Sequence, residues 1–395
     1  MTDVVIVGAG PAGLAATLAL KQRHPAITAD VIDPSGCWLS QWNQQFTQQD
    51  ITVLRSPAVH HPHPDPYRLL ASSDTKRPDH LLSTAGTYLP TTRRFNAFIT
   101  DIINENNLAR QVRKTAVTAV SLDSDGRATL TTADGATRTP DTVIFATNRR
   151  EPVIPAAACH TENDPRVRHA HTIDVTQVVA GQRVVIIGQG LTAAHLALGA
   201  ARRGAIVSLL TRRRFTVRNF DVHPTWLGPK KLRPFSQQPD LHVRFREIQT
   251  ARQGGSIPHR IANDLAACAE TQQLTITHRV TLQTVTPHPS HLTVTMSDST
   301  THDCDELWLA TGANVDVTKD PLFATLVARG DTRIINGLPA LTTALNWPRT
   351  NIHLMGFAAA LELGPSAGNL VGHRRAAKLI AEHVTNRPTT LSTPH

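Results

Sequence analysis

The sequence predicts an α/β protein with two Rossmann-like units, the second inserted into the first. Three observations support this fold. First, a short apolar run, Val4–Val7, is followed by a glycine-rich turn and an apolar helix. Second, the same order returns at residues 183–202. Third, each unit is followed by a hairpin and a further apolar strand. A buried strand, a glycine turn and a helix in this order open a βαβ unit with a parallel sheet.

Composition restricts the class of protein. The 395 residues are 40% apolar and 18% charged, which is typical of a folded globular chain. We find no run of 18 apolar residues, so we expect no membrane-spanning helix. The N-terminus enters a strand at once and leaves no room for a secretory signal, so we expect a cytoplasmic protein. The net charge of +9 comes from dispersed basic residues, and aromatic residues are only 4%; this favours small anionic ligands over nucleic acid.

The first glycine turn has the spacing GxGxxG at Gly8, Gly10 and Gly13. Gly8 allows a tight turn, Gly10 lets the backbone approach a pyrophosphate, and Gly13 lets the helix pack closely on the strand. The pyrophosphate would lie at the helix N-terminus, where free N–H groups favour an anion. A second strand, residues 29–32, ends at Asp33, placed to accept a hydrogen bond from an adenosine ribose.

The second turn follows the strand Arg183–Ile187. It carries Gly188 and Gly190, with Ala193 in place of the third glycine. The next strand, residues 205–210, leads into Arg212 and Arg213 instead of an acid. Arginines can bind a 2′-phosphate that an acid would repel. This unit therefore predicts an NADPH site, and the first unit a nucleotide without that phosphate; a solvated basic loop is the alternative for the arginines.

Later segments repeat the same plan. A hairpin at residues 128–132 leads to a strand at 141–148, and one at 291–296 leads to a strand at 305–312. Asn148 stands where the second unit has Gly312, and Asn tolerates positive φ better than most residues. Prolines near residue 155 mark the end of the first unit's opening part. We expect a first domain of residues 1–155 and 313–388, a second of 156–312, and a disordered tail of 389–395.

The C-terminal part contains a short strand, residues 352–355, which Gly356 ends. Gly364, Pro365 and Ser366 then form a turn that opens a helix. The N-terminus of that helix could direct its dipole at the N1/C2=O edge of a flavin. A helix that only docks the C-terminus is the alternative.

With these residues assembled, the whole chain resembles the two-dinucleotide-binding flavoproteins of the glutathione-reductase-like fold. The matching stretches are GAGPAG at 8–13 with Asp33, GQGLTA at 188–193, FATN at 145–148, LATG at 309–312 and GPSAGNLVG at 364–372. Within that group it looks like the NADPH-dependent flavin monooxygenases, most of all the lysine/ornithine N-hydroxylase branch. GCW at 36–38 and LRSP at 54–57 carry this finer resemblance.

The resemblance implies FAD in the first domain and NADPH in the second, with molecular oxygen adding to the reduced flavin as a C4a-(hydro)peroxyflavin. The oxygen would then go to a small-molecule amine or another nucleophile. It also allows a homo-oligomer. Carried over residue by residue, it gives catalytic candidates Gln41, Asn43, His60 and His61. The cofactor-binding candidates are Gly8, Gly10, Pro11, Ala12, Gly13, Asp33, Pro34, Trp38, Gln41, Arg55, Ser56, Thr147, Asn148, Gly188, Gln189, Gly190, Leu191, Thr192, Ala193, Arg212, Arg213, Thr311, Gly312, Gly356, Gly364, Pro365 and Ser366.

Two other functions stay open. One is a flavin-dependent NAD(P)H reductase or dehydrogenase of the ferredoxin-reductase type, without oxygen insertion. The other is a non-catalytic FAD-binding regulatory protein. A disulfide reductase is disfavoured because the four cysteines lie far apart and no CxxC follows the first turn.

For two irregular segments the sequence allows more than one interpretation. Residues 54–66 contain four prolines with His60, His61 and His63. We expect a stiff loop across the flavin rather than a metal site, since two histidines flank a proline and no cysteine is near. One of His60 or His61 would reach the substrate pocket, or both would face solvent. Residues 215–256 exceed an ordinary connection between helix and strand, and would form either a lid or a surface excursion.

Overall fold

The computed structural model describes residues 3–27, 29–77, 79–84, 86–147 and 149–386. Its helices are α1 Pro11–Arg23, α2 Ser40–Gln48, α3 Arg68–Ala71, α4 Thr92–Glu105, α5 Leu191–Arg202, α6 Pro229–Gln237, α7 Leu241–Arg252, α8 His259–Glu270, α9 Ala324–Arg329, α10 Ala360–Leu363 and α11 Leu370–Asn386. Its strands are β1 Val4–Val7, β2 Ala29–Asp33, β3 Leu81–Thr84, β4 Thr87–Pro90, β5 Val112–Lys114, β6 Val117–Leu122, β7 Ala128–Thr132, β8 Thr137–Arg138, β9 Thr142–Phe145, β10 Glu151–Pro152, β11 Val167–His169, β12 Arg183–Ile187, β13 Ile206–Thr211, β14 Leu274–His278, β15 Leu282–Pro287, β16 Leu292–Met296, β17 Thr301–Cys304, β18 Glu306–Leu309, β19 Ala313–Asn314, β20 Ile334–Ile335, β21 Leu338–Pro339 and β22 Ile352–Leu354.

Two five-stranded parallel sheets organise the chain, as the glycine turns predict. The first has the order β22-β9-β1-β2-β5, and the second β11-β18-β12-β13-β14. In both sheets the strand that precedes the glycine turn lies in the centre, so its residues are buried on both faces; Val4, Val5 and Ile6 are fully buried. Continuous apolar strands of this kind are what a parallel sheet covered by helices requires. The predicted fold class is confirmed.

One edge of the first sheet is formed by a strand from the C-terminal part of the chain. β22 pairs in parallel with β9, with Ile352 opposite Val143. The C-terminal helix, α11, packs along α1. A two-stranded ladder between β10 and β19 marks where the chain leaves the first unit and returns to it.

The elements differ from the sequence-based expectations mainly at their ends. β12 has the predicted bounds, while β13 begins and ends one residue later than the predicted strand 205–210. α11 begins at Leu370, so Gly364–Ser366 precede the helix by several residues instead of opening it. Asn148 and the tail 389–395 lie outside the described residues.

The segment 215–256 docks onto the first unit. It contains a 3₁₀ turn, Pro224–Leu227, and the helices α6 and α7. Its buried apolar side chains, including Trp226 and Phe235, belong to the same core as β1, α1 and α11. Arg244 of α7 is 8% exposed and donates to the Leu361 carbonyl (3.0 Å) and to Glu362 (2.9 Å) in α10. This buried anchoring excludes the surface-excursion interpretation.

No helix within the described ranges is long and apolar enough to cross a membrane.

Candidate functional site

The first glycine turn is built for close approach of a ligand. Gly8 has φ +106°, and a Cβ there would lie 3.0 Å from the Ala146 carbonyl oxygen. A Cβ on Gly13 would lie 2.0 Å from the Gly8 oxygen, so only glycine allows α1 to sit this close to β1. Gly10 caps α1 and a Cβ on it would meet no atom within 4 Å. Pro11 follows and no side chain caps the helix, so the amides of Ala12 and Gly13 are the first N–H groups at the positive end of α1.

Asp33 holds this turn in place. Its carboxylate accepts hydrogen bonds from the Ala9 amide (2.9 Å) and from the amide and hydroxyl of Ser35 (2.9 and 2.6 Å). A carboxylate has about four lone-pair positions, so one stays available for a ribose hydroxyl. Pro34 begins the turn after β2. The strand-end capping role and the ribose role of Asp33 are therefore compatible.

The second turn repeats the geometry with one change. A Cβ on Gly188 would lie 2.5 Å from the Ala310 oxygen, just as Gly8 faces Ala146. Ala193 stands where the first unit has Gly13, and its methyl group would be 3.0 Å from that same Gly188 Cβ. Gly190 caps α5, which begins with Leu191 and Thr192, without a side-chain cap. Gln189 is 7% exposed, and its Oε1 has no hydrogen-bond partner among the described residues.

The two arginines after β13 have different surroundings. Arg213 donates to the carbonyl oxygens of Gln253 and Gly255 (3.4 Å for the latter) and to the Thr216 hydroxyl (3.3 Å). Arg212 is exposed. A Cβ on Gly254 would lie 3.5 Å from the Arg212 guanidinium and 3.6 Å from the Gln189 amide nitrogen. The Arg212 side chain therefore lies at the mouth of the second turn, while Arg213 tethers residues 253–255 over it.

The ends of β9, β18 and β22 carry the other predicted backbone positions. Gly356, at φ +71°, follows β22, and a Cβ there would lie 3.9 Å from the Thr147 oxygen. The Thr311 hydroxyl donates to the Val153 carbonyl, and Gly312, at φ +86°, accepts from the Val153 amide (3.0 Å). Thr147 and Gly356 thus come together beside the first turn, whereas Thr311 and Gly312 lie at the crossing between the units.

Ahead of α11 lies a buried hydroxyl without a partner. Gly364 has φ +77°, and Ser366 is completely buried. The Ser366 Oγ has no hydrogen-bond partner among the described residues, while Pro365 accepts a hydrogen bond from Arg252 (2.9 Å). A buried hydroxyl left unpaired is costly. Its presence here fits a polar group of a bound cofactor.

Residues 38–43 divide between core and surface. Trp38 is 8% exposed and its indole N–H donates to the Leu108 carbonyl (2.9 Å). That N–H is therefore not free for a cofactor. Gln41 and Asn43 lie exposed on α2. The structure does not bring these two side chains into contact with either glycine turn.

The loop 54–66 connects the first unit to the docked segment. The Arg55 guanidinium donates to the carbonyls of Arg218 (2.8 Å), Asn219 (3.1 Å) and Ser256 (2.9 Å), and to the Ser256 hydroxyl. Burial lowers the pKa of Arg55 to about 10. We expected Arg55 to face the cofactor, but its donors are taken by these protein oxygens. Ser56 is partly buried beside it.

His60 and His61 are both buried, so the alternative in which both face solvent is wrong. His61 is fully buried, lies edge-on to Phe98 at 4.9 Å and contacts the Pro66 carbonyl (3.2 Å). His60 is 7% exposed and lies 5.2 Å from the Phe220 ring. Burial, with Arg374 nearby, lowers the pKa of His60 to about 4 and that of His61 to about 3. Both rings are therefore neutral near pH 7; His60 faces the docked segment and His61 packs inside the first unit.

A group of charged and polar residues that the sequence did not predict lies where the docked segment meets the chain just before α11. We call Arg150, Asp221, Arg252 and Asn369 the junction cluster. Asp221 accepts from Arg252 (3.3 Å) and from Asn369 (3.5 Å). Arg252 also lies over the Phe357 ring at 5.2 Å. Burial, followed by repulsion from Arg252, lowers the pKa of Arg150. The position of Arg150, two residues after the FATN stretch, is the signal that could have identified it.

No group of three or more His, Cys, Asp or Glu side chains that could hold a metal ion occurs among the described residues. The four cysteines are free thiols, and Cys37 and Cys159 are exposed.

Fold and site together define a protein with two Rossmann-like units, each opened by a strand, a glycine turn and a helix. Residues 2–225 match the pyridine nucleotide-disulphide oxidoreductase family, and the chain belongs to that family. No curated protein matches the sequence.

Solved structures share the fold over nearly the whole chain. An ornithine N-hydroxylase from Kutzneria sp. 744, whose structure is described with reduced FAD, NADP⁺ and L-ornithine, is 17% identical with TM-score 0.76, covering 98% of this chain and 99% of its own. A cadaverine monooxygenase of desferrioxamine biosynthesis from Erwinia amylovora, bound to FAD, is 12% identical with TM-score 0.76, covering 100% and 99%. A bacillithiol disulfide reductase from Bacillus cereus is 18% identical with TM-score 0.63, covering 98% and 99%.

Proposed function

We propose that this chain is an FAD-containing, NADPH-dependent monooxygenase that hydroxylates the amine of a small molecule. The observation that carries the proposal is the pair of strand–turn–helix sites with opposite charge after the second strand. Asp33 at the first site suits a ribose with free hydroxyls, and Arg212 at the second suits a ribose 2′-phosphate. The higher TM-scores to two amine hydroxylases than to a disulfide reductase support oxygen insertion over reduction alone.

Residues of both units would take part in binding the cofactors. The N–H groups at the start of α1 would bind the FAD pyrophosphate, and Ser366 with the backbone around Gly356 would hold the polar side of the flavin. Bound FAD would supply the hydride acceptor and the oxygen chemistry. The residues would belong to domains of 1–155 with 313–388 for FAD, and 156–312 for NADPH.

The junction cluster would orient the substrate. One carboxylate, Asp221, lies among several arginines, so the local field is positive and favours a substrate with an anionic group beside its amine. The docked segment, which contributes Asp221 and Arg252 to the junction cluster, would keep water away from the flavin. Neutral His60 would serve as a hydrogen-bonding group there rather than as a proton donor, since its pKa is lowered to about 4.

Rapid mixing tests the proposal. Protein loaded with FAD and reduced by NADPH is mixed with oxygen while NADP⁺ stays bound. A long-lived absorbance band distinct from those of oxidised and reduced flavin, followed by amine-dependent decay, is the expected result. Immediate return to oxidised flavin with release of hydrogen peroxide would favour the reductase alternative. A protein that cannot bind FAD would contradict both. We further propose a cytoplasmic location and a homo-oligomer.

A further inference from the structure

A cleft of about 780 Å³ lies beside α1 and α11, away from the glycine turn. Small, buried side chains that pack the two helices together lie beneath it: Ala15, Ala19, Ala377 and Ala381. At about 1.5 Å of rise per residue, Ala15 and Ala19 lie about 8–14 Å along α1 from Gly10. The cleft is therefore separate from the turn to which we assign the FAD pyrophosphate.

The wall of the cleft is strongly basic. Arg374, Arg375 and Lys378 from α11 line it, together with Arg23 from α1. Asp65, from the proline-rich loop, is the acidic residue in its lining. Arg23 is already paired with Glu382. The three cations of α11 therefore face one carboxylate, and the field in the cleft favours an anion.

Arg375 has one side-chain donor that the described residues leave unsatisfied. Its Nη2 donates to the Leu227 carbonyl (3.0 Å), but its Nη1 is buried with no hydrogen-bond partner among the described residues. Burial and the neighbouring Arg374 lower the pKa of Arg375. A buried donor left unsatisfied costs about 1–3 kcal/mol, and more when it is charged. An anion in the cleft would relieve the repulsion between Arg374 and Arg375.

We propose that this cleft binds a phosphate monoester that carries an apolar organic group. The phosphate lies against Arg374, Arg375 and Lys378, because a guanidinium fork matches phosphate oxygens. The organic group lies against Leu227, Val371 and Pro64, the partly exposed apolar residues of the lining. The volume is in the range of small-molecule sites, about 300–1,000 Å³.

Calorimetric titration tests the ligand class. The protein is first saturated with FAD and NADP⁺ so that its own nucleotide sites are filled, and is then titrated with octyl phosphate, octanoate or inorganic phosphate. Octyl phosphate should bind at least about tenfold more tightly than either of the others, since octanoate lacks the second charge and inorganic phosphate lacks the apolar chain. Equal binding of inorganic and octyl phosphate, or the absence of binding heat with octyl phosphate, would overturn the proposal.

Variants locate the site. Arg375→Gln should weaken octyl phosphate binding by at least about tenfold, because it removes one charge-assisted hydrogen bond. Lys378→Gln, on the exposed side of α11, supplies a second variant if Arg375→Gln does not fold. Lys76→Gln removes an exposed charge outside the cleft and should leave binding unchanged. Equal weakening in Lys76→Gln and Lys378→Gln would overturn the site. These titrations measure binding alone, so they do not depend on the proposed reaction.

Discussion

Replacing Arg212 with alanine should weaken the preference of this protein for NADPH over NADH. Arg212 is exposed at the mouth of the second glycine turn, near Gly254 and the Gln189 amide. Arg213 is held by the carbonyls of residues 253 and 255. Of these two arginines, we therefore expect Arg212 to bind the 2′-phosphate.

The size of the effect follows from the hydrogen bond that the substitution removes. A hydrogen bond to a charged group contributes about 1.5–3 kcal/mol, and each 1.4 kcal/mol is about tenfold in affinity. Arg212→Ala should therefore lower the ratio of kcat/KM for NADPH to that for NADH by about 10–100-fold. Arg213→Ala should act differently, because it frees residues 253–255, where a Cβ on Gly255 would lie 3.3 Å from the Gly190 Cα. It should raise KM for both coenzymes and change their ratio less.

Steady-state kinetics with each coenzyme provide the measurement, and Arg214→Ala is the matched control. Arg214 is also exposed and carries the same charge, but lies toward His278, whose pKa is lowered by burial and then by Arg214. Its removal should change the ratio by less than about twofold. The reasoning fails if Arg212→Ala keeps the preference, or if Arg214→Ala erodes it equally.

Three further predictions concern the FAD unit. Gly13→Ala should destabilise the fold by about 1–3 kcal/mol, since its Cβ would meet the Gly8 oxygen at 2.0 Å. Gly10→Ala should leave the melting temperature nearly unchanged yet weaken FAD binding. Equal melting temperatures for the two variants would refute the distinction between these glycines. Ser366→Ala should weaken FAD binding by about tenfold in a flavin titration, without lowering the stability of the FAD-free protein. A less stable FAD-free protein would instead show that Ser366 has a structural partner. His60 has its folded-state pKa lowered from 6.5 to about 4; the unfolded chain therefore takes up the proton first, and stability falls as pH decreases through that window. His60→Asn should reduce this slope by up to about 1.4 kcal/mol per pH unit in denaturant titrations; an unchanged slope would contradict the reasoning.

The sequence alone was sufficient to predict the two Rossmann-like units. Glycine spacing, the adjacent apolar strands and the residue after each second strand are local features, and the backbone geometry they require is nearly independent of the rest of the chain. Gly8 at φ +106° and the approach of Gly13 to the Gly8 oxygen are examples. The short strand near residue 352 was also recognisable from its own residues, although its pairing with β9 depends on the tertiary structure.

Only the tertiary structure decided what the irregular segments do. Arg55 looked like a cofactor residue, yet its partners are carbonyls more than 160 positions away. His60 and His61 look alike in sequence, but one faces Phe220 of the docked segment and the other packs on Phe98. The junction cluster and the basic cleft likewise combine residues distant in sequence. Side-chain burial and partners depend on long-range packing, which local sequence patterns do not specify, whereas a glycine turn is specified by its own residues.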